Sequence, residues 1–267
     1  MKKILIIGAN SYIGSSFQSY LGQFPGEYDV DTLSVRDDGW KQADFFRYDI
    51  LLDTAGIAHR RETPENASLY YQINGALTGK LAKKAKREGV RQFVFLSSAS
   101  VYGQIEGIIT KDTPPAPQSH YGRSKLQAEE LLRQLHDSSF SVTILRPPMV
   151  YGDGCKGNYQ TLVKLAKKLP FFADYQNRRS MISIGNLCAF LKSVMDTGEG
   201  GIYFPQDPEY VCTCQMIRQI AERQGRNLPL LPVLNPCIGL LKRMTTKGKK
   251  AFGDLIYEGT DACIEKF

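Results

Sequence analysis

Long apolar runs are absent from this chain of 267 residues. None approaches the roughly 18 consecutive apolar positions that a membrane-spanning helix requires, so the sequence offers no helical span. Histidine is scarce, with only His59, His120 and His136, and the six cysteines (Cys155, Cys188, Cys212, Cys214, Cys237 and Cys263) contain no Cys-x-x-Cys pair. That spacing speaks against the common zinc modules and gives no disulfide framework. Cys212-Thr213-Cys214 alternates as in a strand, which would set two thiols on one face; buried, reduced thiols are the expectation there, with no metal. There is no internal repeat, no low-complexity tract, no aromatic RNA-binding tract and no helix-turn-helix pattern. Nucleic acid is therefore set aside as a partner, although 34 Lys and Arg against 27 Asp and Glu leave a formal charge of +7. That sign equally suits an anionic small substrate or a membrane surface.

What is present is ordinary in amount and specific in arrangement. Apolar residues at 42% and charged residues at 23% describe a globular chain, long enough for one large domain or one domain with a small annex. Met1-Lys2-Lys3 followed by Ile4–Ile7 is too short for the apolar core of a secretory signal and runs into Gly8. It reads as a first strand, and the chain is expected in the cytoplasm. The stretch 93–125 organises the rest. Phe93–Leu96 is an apolar, β-forming run that ends abruptly in Ser97-Ser98-Ala99-Ser100-Val101-Tyr102-Gly103. This is the pattern of a buried parallel strand delivering hydroxyls at its C-terminal tip, where open α/β sheets bind ligands. After a loop with Pro114, Pro115 and Pro117, Ser119 is a candidate N-cap and Tyr121 falls in the first helical turn. Of 14 tyrosines only Tyr121 has a lysine four positions on, Lys125. Chance alone could supply one such pair, so the context carries the signal. On a helix the two side chains share a face. A neighbouring ammonium favours a phenolate, and acid–base work near neutral pH needs a Tyr pKa roughly 3 units below its usual value of about 10.

Gly8-Ala9-Asn10-Ser11-Tyr12-Ile13-Gly14 follows the first strand and opens a helix to about Gln23. That arrangement turns backbone N–H groups and a helix N-terminus toward a pyrophosphate. Asp29–Leu33 is a second strand, with Ser34 at its tip and Arg36 two residues on; Asp37 and Asp38 compete for the same place. The segment to Tyr48 is short and irregular. Asp49–Asp53 is a third strand, continued by Thr54-Ala55-Gly56, and His59-Arg60-Arg61 enters a loop that either reaches phosphates or faces solvent. Pro64–Glu88 reads as one long helix closed at Gly89, carrying Asn74 and a solvated lysine face. The helix of Tyr121 runs to about His136. Ser141–Arg146 is strand-like and ends in Pro147-Pro148-Met149-Val150-Tyr151-Gly152. Asn158 opens a helix Tyr159–Lys168, Arg178-Arg179 precede a short strand, and Asn186–Met195 is a helix. Gly201–Phe204 reads as a last strand and Cys214–Gln224 as another helix. Leu234–Lys250 is basic and amphipathic; a packed terminal helix is preferred there over a weak membrane-surface contact.

Strand-end serine, proline loop and helical Tyr121 with Lys125 resemble the short-chain dehydrogenase/reductase superfamily. The tract Ser97–Gly103, with Arg146-Pro147-x-x-Val150-Tyr151-Gly152, resembles its extended branch of sugar-nucleotide epimerases, dehydratases and reductases. The resemblance covers residues 1–230 or so; the last 35 or so add nothing specific. It implies an α/β fold, a Rossmann-type doubly wound parallel sheet with a small C-terminal substrate-binding annex. Residues 1–154 would form the NAD(P)-binding domain with 178–204 packing back onto it, and 155–177 with 205–267 the annex and basic tail.

The same resemblance implies cofactor contacts for Gly8, Asn10, Ser11, Tyr12, Ile13, Gly14, Ser34, Arg36, Ala55, Gly56, Asn74, Tyr121, Lys125 and Pro148. Ser11 stands where the branch usually has glycine, its hydroxyl available to donate to a phosphate. Ser34 and Arg36 accept a 2′-phosphate where an acid would repel it, so NADP(H) is favoured over NAD(H). Catalytic roles are implied for Ser98, Tyr121 and Lys125, with Lys125 lowering the Tyr121 pKa and holding the nicotinamide ribose. Substrate contacts are implied for Ser98, Ser100, Asn158 and Arg179, whose planar guanidinium suits a diphosphate. Dehydratases of the branch carry Asp-Glu directly after the strand-end hydroxyl; Ala99 and Ser100 stand there instead. The implied activity is hydride transfer at C4 of a UDP-hexose or UDP-N-acetylhexosamine in a homodimer. A 4-epimerase comes first and an NADPH-dependent 4-keto-sugar-nucleotide reductase second. A non-catalytic dinucleotide-binding module is the remote alternative, since it has no need of a tuned phenol.

Overall fold

Two hydrophobic layers share the same strands, because successive side chains of a strand point to opposite faces. The computed structural model describes residues 1–8, 10–58, 60–259 and 263–267, the side chain of Cys263 excepted. Ala9, His59 and the Cys263 thiol, all noted from the sequence, lie outside the described residues. β1 (Lys2–Ile7) sends Ile4 and Ile6 to one layer, with Phe17 and Leu21 of α1 (Tyr12–Leu21), and Leu5 and Ile7 to the other. β2 (Tyr28–Leu33) is less buried, whereas β3 (Ile50–Asp53) is buried at every position. After α2 (Ala67–Tyr70) and α3 (Thr78–Arg87), β4 (Gln92–Leu96) is again buried throughout. Beyond the short β5 (Gly107–Ile109) comes α4 (His120–Arg133). Phe93 and Phe95 of β4 pack with Leu81 and Ala85 of α3 and with Ala128 and Leu132 of α4; Val94 and Leu96 face the α1 side.

The chain continues through β6 (Ser141–Leu145), β7 (Met149–Tyr151), α5 (Asn158–Lys168), β8 (Phe172–Ala173), β9 (Met181–Ser183), α6 (Ile184–Thr197) and β10 (Gly201–Tyr203). It ends in α7 (Thr213–Arg223), β11 (Leu230–Leu231), α8 (Asn235–Met244), α9 (Thr246–Phe252), β12 (Leu255–Tyr257) and β13 (Cys263–Lys266). The main sheet runs β2-β1-β3-β4-β6-β10-β13, parallel except at β13. With α3 and α4 on one face and α1 and α6 on the other, it is the doubly wound Rossmann-type sheet that the resemblance implied. The chain leaves β1 for β2 on one side and resumes with β3 on the other, which opens a crevice beyond their C-terminal ends. A separate core joins α5 to α7, with Tyr159, Leu162, Met216 and Ile217 at its centre.

Three expectations for the secondary structure are corrected. Pro64–Glu88 is not one regular helix: a 3₁₀ turn at Pro64–Asn66, α2, a π-helical stretch at Tyr71–Leu77 and α3 succeed one another. The wide turns surround Asn74, a fully buried side chain that reaches across to Ile57; such stretches often mark a local functional demand. Cys212-Thr213-Cys214 is not a strand, because Cys212 is the N-cap position of α7 and Cys214 lies inside that helix. Gly201–Tyr203 is not the last strand. β13 pairs antiparallel beside it and β12 pairs with β5, so the C-terminal residues 255–257 and 263–266 are specific parts of the fold, and 263–266 leaves the annex for the main sheet. The β13 pairing needs glycine at 201, where φ is +148° and a Cβ would sit 2.4 Å from the Glu265 carbonyl oxygen. Between β2 and β3 there is only a 3₁₀ turn at Asp38–Lys41, with Trp40, Phe45 and Tyr48 buried, so β2 is the sheet edge.

Under the C-terminal ends of the central strands lies a buried ion pair. Arg146, just past β6, donates from Nε to both carboxylate oxygens of Glu129 on α4, at 3.1 and 3.2 Å. The two residues are 5% and 1% exposed, so neither charge has water to fall back on. Ser97 donates to the same carboxylate, Arg146 also donates to the Tyr102 hydroxyl, and Tyr257 of β12 donates to the Arg146 carbonyl at 2.7 Å. Arg146→Met alone leaves Glu129 buried without its counter-charge and should cost about 3–5 kcal/mol; adding Glu129→Leu should recover most of that. Urea midpoints at equal m-value measure both.

Candidate active site

The turn after β1 is organised by a relay of hydroxyls. Ser11 caps α1 by accepting from Gly14 N–H at 3.0 Å, with an ordinary extended backbone at φ −75°, ψ 144°. No glycine is needed there. Ser11 Oγ also lies 2.6 Å from Thr54 Oγ1, and Thr54 donates its proton to the Ile7 carbonyl at 2.7 Å. Thr54 has only one proton, so Ser11 must donate to Thr54. The Ser11 hydroxyl is thereby spent inside the protein and has no proton for a phosphate, contrary to the expectation from sequence. What the turn does present is backbone. With Gly14 N–H capped and Ser15 N–H on the Ser11 carbonyl, the Tyr12 and Ile13 N–H groups have no intrahelical acceptor. They sit at the positive end of a ten-residue helix. Gly8 (φ +100°) makes the approach possible, since a Cβ there would lie 2.8 Å from Thr54 Oγ1 and 3.1 Å from Ala55 N.

The second wall comes from β4 and α4. Ser98, two residues past β4, caps a 3₁₀ turn in extended conformation, accepts from Ser100 N–H at 3.1 Å and lies 3.2 Å from Ser100 Oγ. Ser97 is turned inward on Glu129 and is 4% exposed, which separates it from Ser98. Ser119 caps α4 through Gly122 N–H at 3.0 Å. The other two N–H groups of that turn, from His120 and Tyr121, both donate to the Glu62 carboxylate at 2.9 Å. Behind them Asn74 accepts from Ile57 N–H at 2.7 Å and donates to the Ile57 carbonyl at 3.0 Å and to Ser124 Oγ at 3.1 Å. That fixes the Ala55-Gly56-Ile57 turn to α4.

Lys125 is 5% exposed and donates to the Leu96 carbonyl at 2.8 Å, its ammonium 4.5 Å from the centre of the Phe95 ring. Burial pushes its pKa down to about 8, against the opposing pull of Asp53 and Glu129. Burial also pushes the Tyr121 phenol up, with the Ser98 side chain acting in the opposite direction. The expectation that Lys125 lowers the Tyr121 pKa is not met, because the lysine is turned onto the end of β4. Asp53, wholly buried beneath them on Thr78 Oγ1 and Ala55 N–H, is likewise pushed up by burial.

These walls enclose a cleft of about 660 Å³. It brings together Asn10, Ser11, Tyr12, Ile13, Ala55, Gly56, Ser98, Ser100, Tyr121, Lys125, Pro148, Asn158 and Arg179. Gly8, Gly14 and Asn74 support it from behind. Ser34 and Arg36 are outside it: Arg36 borders a hollow beyond β2 with Asp37, Asp38, Lys41 and Lys80. There Asp38 is paired with Lys41 at 2.8 Å and Asp37 accepts from Gly39 N–H, while among the described residues neither Arg36 nor Lys80 is in an ion pair. Asn158 opens α5, whose N-cap is Gly157 and so offers no capping side chain. Of Arg178 and Arg179, Arg179 lines the cleft, with Nη1 on the Gly253 carbonyl at 2.9 Å, and Arg178 is exposed. Of His59-Arg60-Arg61, Arg60 borders the cleft. Thr54 of the Thr54-Ala55-Gly56 turn lines it too, and sequence reasoning missed Glu62, Tyr70 and Lys156, which also line it. Glu62 carries no local signal, since its partners are backbone groups 58 and 59 residues away.

A model of the NAD dependent epimerase/dehydratase family matches residues 4–203. The chain is 37% identical over 212 residues to a UDP-glucose 4-epimerase of Vibrio cholerae, covering 74% of this chain and 64% of that protein. It is 28% identical over 204 residues to an N-acetyl-alpha-D-glucosaminyl-diphospho-ditrans,octacis-undecaprenol 4-epimerase of Escherichia coli O157:H7, covering 71% and 62%. The match thus spans a little under two thirds of the length of these relatives. Among solved structures, dTDP-4-dehydrorhamnose reductase of Bacillus anthracis in complex with NADP superposes with a TM-score of 0.73 at 20% identity, over 97% of this chain and 91% of that one. UDP-glucuronic acid 4-epimerase of Bacillus cereus in complex with NAD gives 0.72 at 20% identity, over 96% and 88%. At that identity the two structures speak for the fold.

The depressed Lys125 pKa has a measurable consequence in nucleotide-free protein. Between about pH 8 and the unfolded lysine value of about 10.4, the unfolded chain holds a proton that the folded chain has lost. Stability therefore rises with pH across that window. In Lys125→Met the rise should be missing, as read from urea midpoints at the two ends of the window; equal slopes in both proteins would assign it to other groups.

Proposed function

We propose, since the chain belongs to the NAD-dependent epimerase/dehydratase family, that its cleft binds a nicotinamide dinucleotide and a sugar nucleotide and transfers hydride at sugar C4. The substrate is a UDP-hexose or UDP-N-acetylhexosamine and the reaction a 4-epimerisation. The observation that carries this reading is the meeting of Ser98, Tyr121 and Lys125 on one wall of the cleft, with Ala99 and Ser100 where dehydration needs carboxylates. The residues present fit a dinucleotide. Tyr12 and Ile13 N–H at the open end of α1 suit its pyrophosphate, and side-chain-free Gly56 leaves Lys125 Nζ within 3.5 Å of where a Cβ would stand. The 37% identical relative is a UDP-glucose 4-epimerase, which supports the same sugar position.

When bound, the oxidised nicotinamide supplies the hydride acceptor, and its positive charge favours a phenolate. Tyr121 takes the proton of the C4 hydroxyl as the carbon loses hydride, and returns it when hydride comes back to the opposite face of the ketone. Ser98 hydrogen-bonds the same oxygen, and within this chain it is the group that favours the Tyr121 phenolate. Lys125 is placed to hold ribose hydroxyls and leaves the phenol to Ser98. Lys156, Asn158 and Arg179 line the cleft, the first two beside the open N-terminus of α5, and suit the substrate diphosphate. Glu62 and Ser119 keep the first turn of α4, and with it Tyr121, in place.

A 4-keto-sugar-nucleotide reductase is the second reading, favoured by the unpaired Arg36 and Lys80 beyond the tip of β2, which suit the 2′-phosphate of NADP(H). Retention of cofactor separates the two: an epimerase keeps its dinucleotide through both transfers, whereas a reductase exchanges it every turnover. Tyr121→Phe should lower turnover of the UDP-sugar on the order of a hundredfold or more while sugar-nucleotide binding stays within a few-fold; turnover near wild type would sink the catalytic assignment. Arg36→Ala should weaken NADPH binding by about tenfold, a single charged hydrogen bond's worth, with NADH little changed. Parallel losses for both would remove Arg36 from the 2′ position.

A further inference from the structure

The C-terminal helices carry a surface that the cleft does not use. Val233, Leu240, Leu241 and Met244 are 79%, 57%, 42% and 72% exposed, and Cys237 between them is exposed as well. Positions 233, 237, 240, 241 and 244 recur at helical spacing and form one stripe along α8 and the turn before it. The opposite side of α8 is already occupied: Ile238 is buried with Phe252, Ala173 and Cys214. The stripe is therefore a second apolar face on a helix whose first face is packed. From Pro232 to Gly253 the sequence has no Asp or Glu and five cations, Lys242, Arg243, Lys247, Lys249 and Lys250. Lys242 is paired with Glu106 at 3.2 Å; among the described residues the other four are in no ion pair. α9 packs tightly on the end of the stripe, where a Cβ on Gly248 would stand 2.3 Å from the Leu241 carbonyl oxygen.

We propose that this α8–α9 hairpin docks the protein on an anionic lipid bilayer, with the Val233–Met244 stripe in the headgroup–acyl boundary and Arg243, Lys247, Lys249 and Lys250 on the lipid phosphates. An exposed apolar stripe flanked by unpaired cations is the surface chemistry of an interfacial helix. Charge complementarity selects the occupant. A second copy of the chain in a two-fold contact would set four cations against four cations with no acid between them. A nucleic acid would leave the apolar stripe unused. The arrangement also ties the docked hairpin to the cleft, because Gly253, which follows α9, accepts from Arg179.

Vesicle flotation of the purified full chain tests this without reference to its catalytic activity. The chain should float with phosphatidylcholine vesicles containing about one third phosphatidylglycerol and stay behind with pure phosphatidylcholine or at high salt. Leu240→Ser with Met244→Ser, and separately Arg243→Ala, Lys247→Ala and Lys250→Ala together, should each lower partitioning on the order of tenfold. All five positions are exposed, so circular dichroism and thermal midpoints should hold. Failure of the wild type to float, or flotation unchanged in both variants, would overturn the proposal. So would a dimer in sedimentation equilibrium that becomes a monomer in the Leu240/Met244 variant, which would give the stripe to a second copy.

Discussion

The buried ion pair of Glu129 with Arg146 ties together the elements that build the Ser98–Tyr121–Lys125 wall of the cleft. Tyr121, Lys125 and Glu129 follow one another at intervals of four on α4, so they share a face over roughly 12 Å of helix. Arg146 grips that face from the end of β6 and Ser97 from the end of β4; Tyr102 and Tyr257 hold Arg146 in turn. A pair so far from water is a poor source of net stability. Its value here lies in register. Turning α4 by one residue would unpair two buried charges at once, so the angle at which Tyr121 and Lys125 enter the cleft is held by a penalty and not by a soft packing preference.

The helices that begin at the cleft differ in how far their first N–H groups are already satisfied. Among the described residues three α-helices begin at the cleft: α1, α4 and α5. The first turn of α4 is closed from within, by Ser119 on Gly122 N–H and Glu62 on His120 and Tyr121 N–H. α1 has its Ser11 cap on Gly14 only, and α5 begins after a glycine with no capping side chain. A carboxylate already fills the positive end of α4, so an incoming phosphate finds its complement at α1 or α5. The Ser11 hydroxyl is engaged with Thr54, so what α1 leaves open toward the cleft is backbone N–H.

The sheet was legible from sequence because its signals are local. Ile4–Ile7, Ile50–Leu52 and Phe93–Leu96 are continuous apolar runs, as strands buried on both faces must be, and Ser119 before Tyr121 is a helix start that can be read in three residues. What could not be read depends on partners far along the chain. Glu62 binds backbone 58 residues away, Asn74 widens its helix to reach Ile57, and the Ser11–Thr54 bond crosses 43 residues. The Lys125 misreading has the same origin. Spacing of four places Tyr121 and Lys125 on one face, but the Leu96 carbonyl that takes the ammonium belongs to another element.

The C-terminal residues show why an exposed apolar stripe there is a property of the fold and not of a loose end. β12 is paired with β5, and β13 closes the edge that β10 would otherwise leave open, a common hazard of parallel sheets. Arg133 of α4 is ion-paired with Glu265 on β13, and Tyr257 on β12 stacks on Phe204 at 4.2 Å. α8 and α9 lie upstream of both strands and are anchored on their inner side by Ile238 and Phe252. Held by that core on one side and by the two strands downstream, the hairpin cannot turn its outer face inward. Burying Leu240 and Met244 within the chain would require giving up the Ile238 and Phe252 core or the strand pairings. An apolar face kept outward at that cost is stable only while its flanking cations keep it in water, or while something outside the chain covers it.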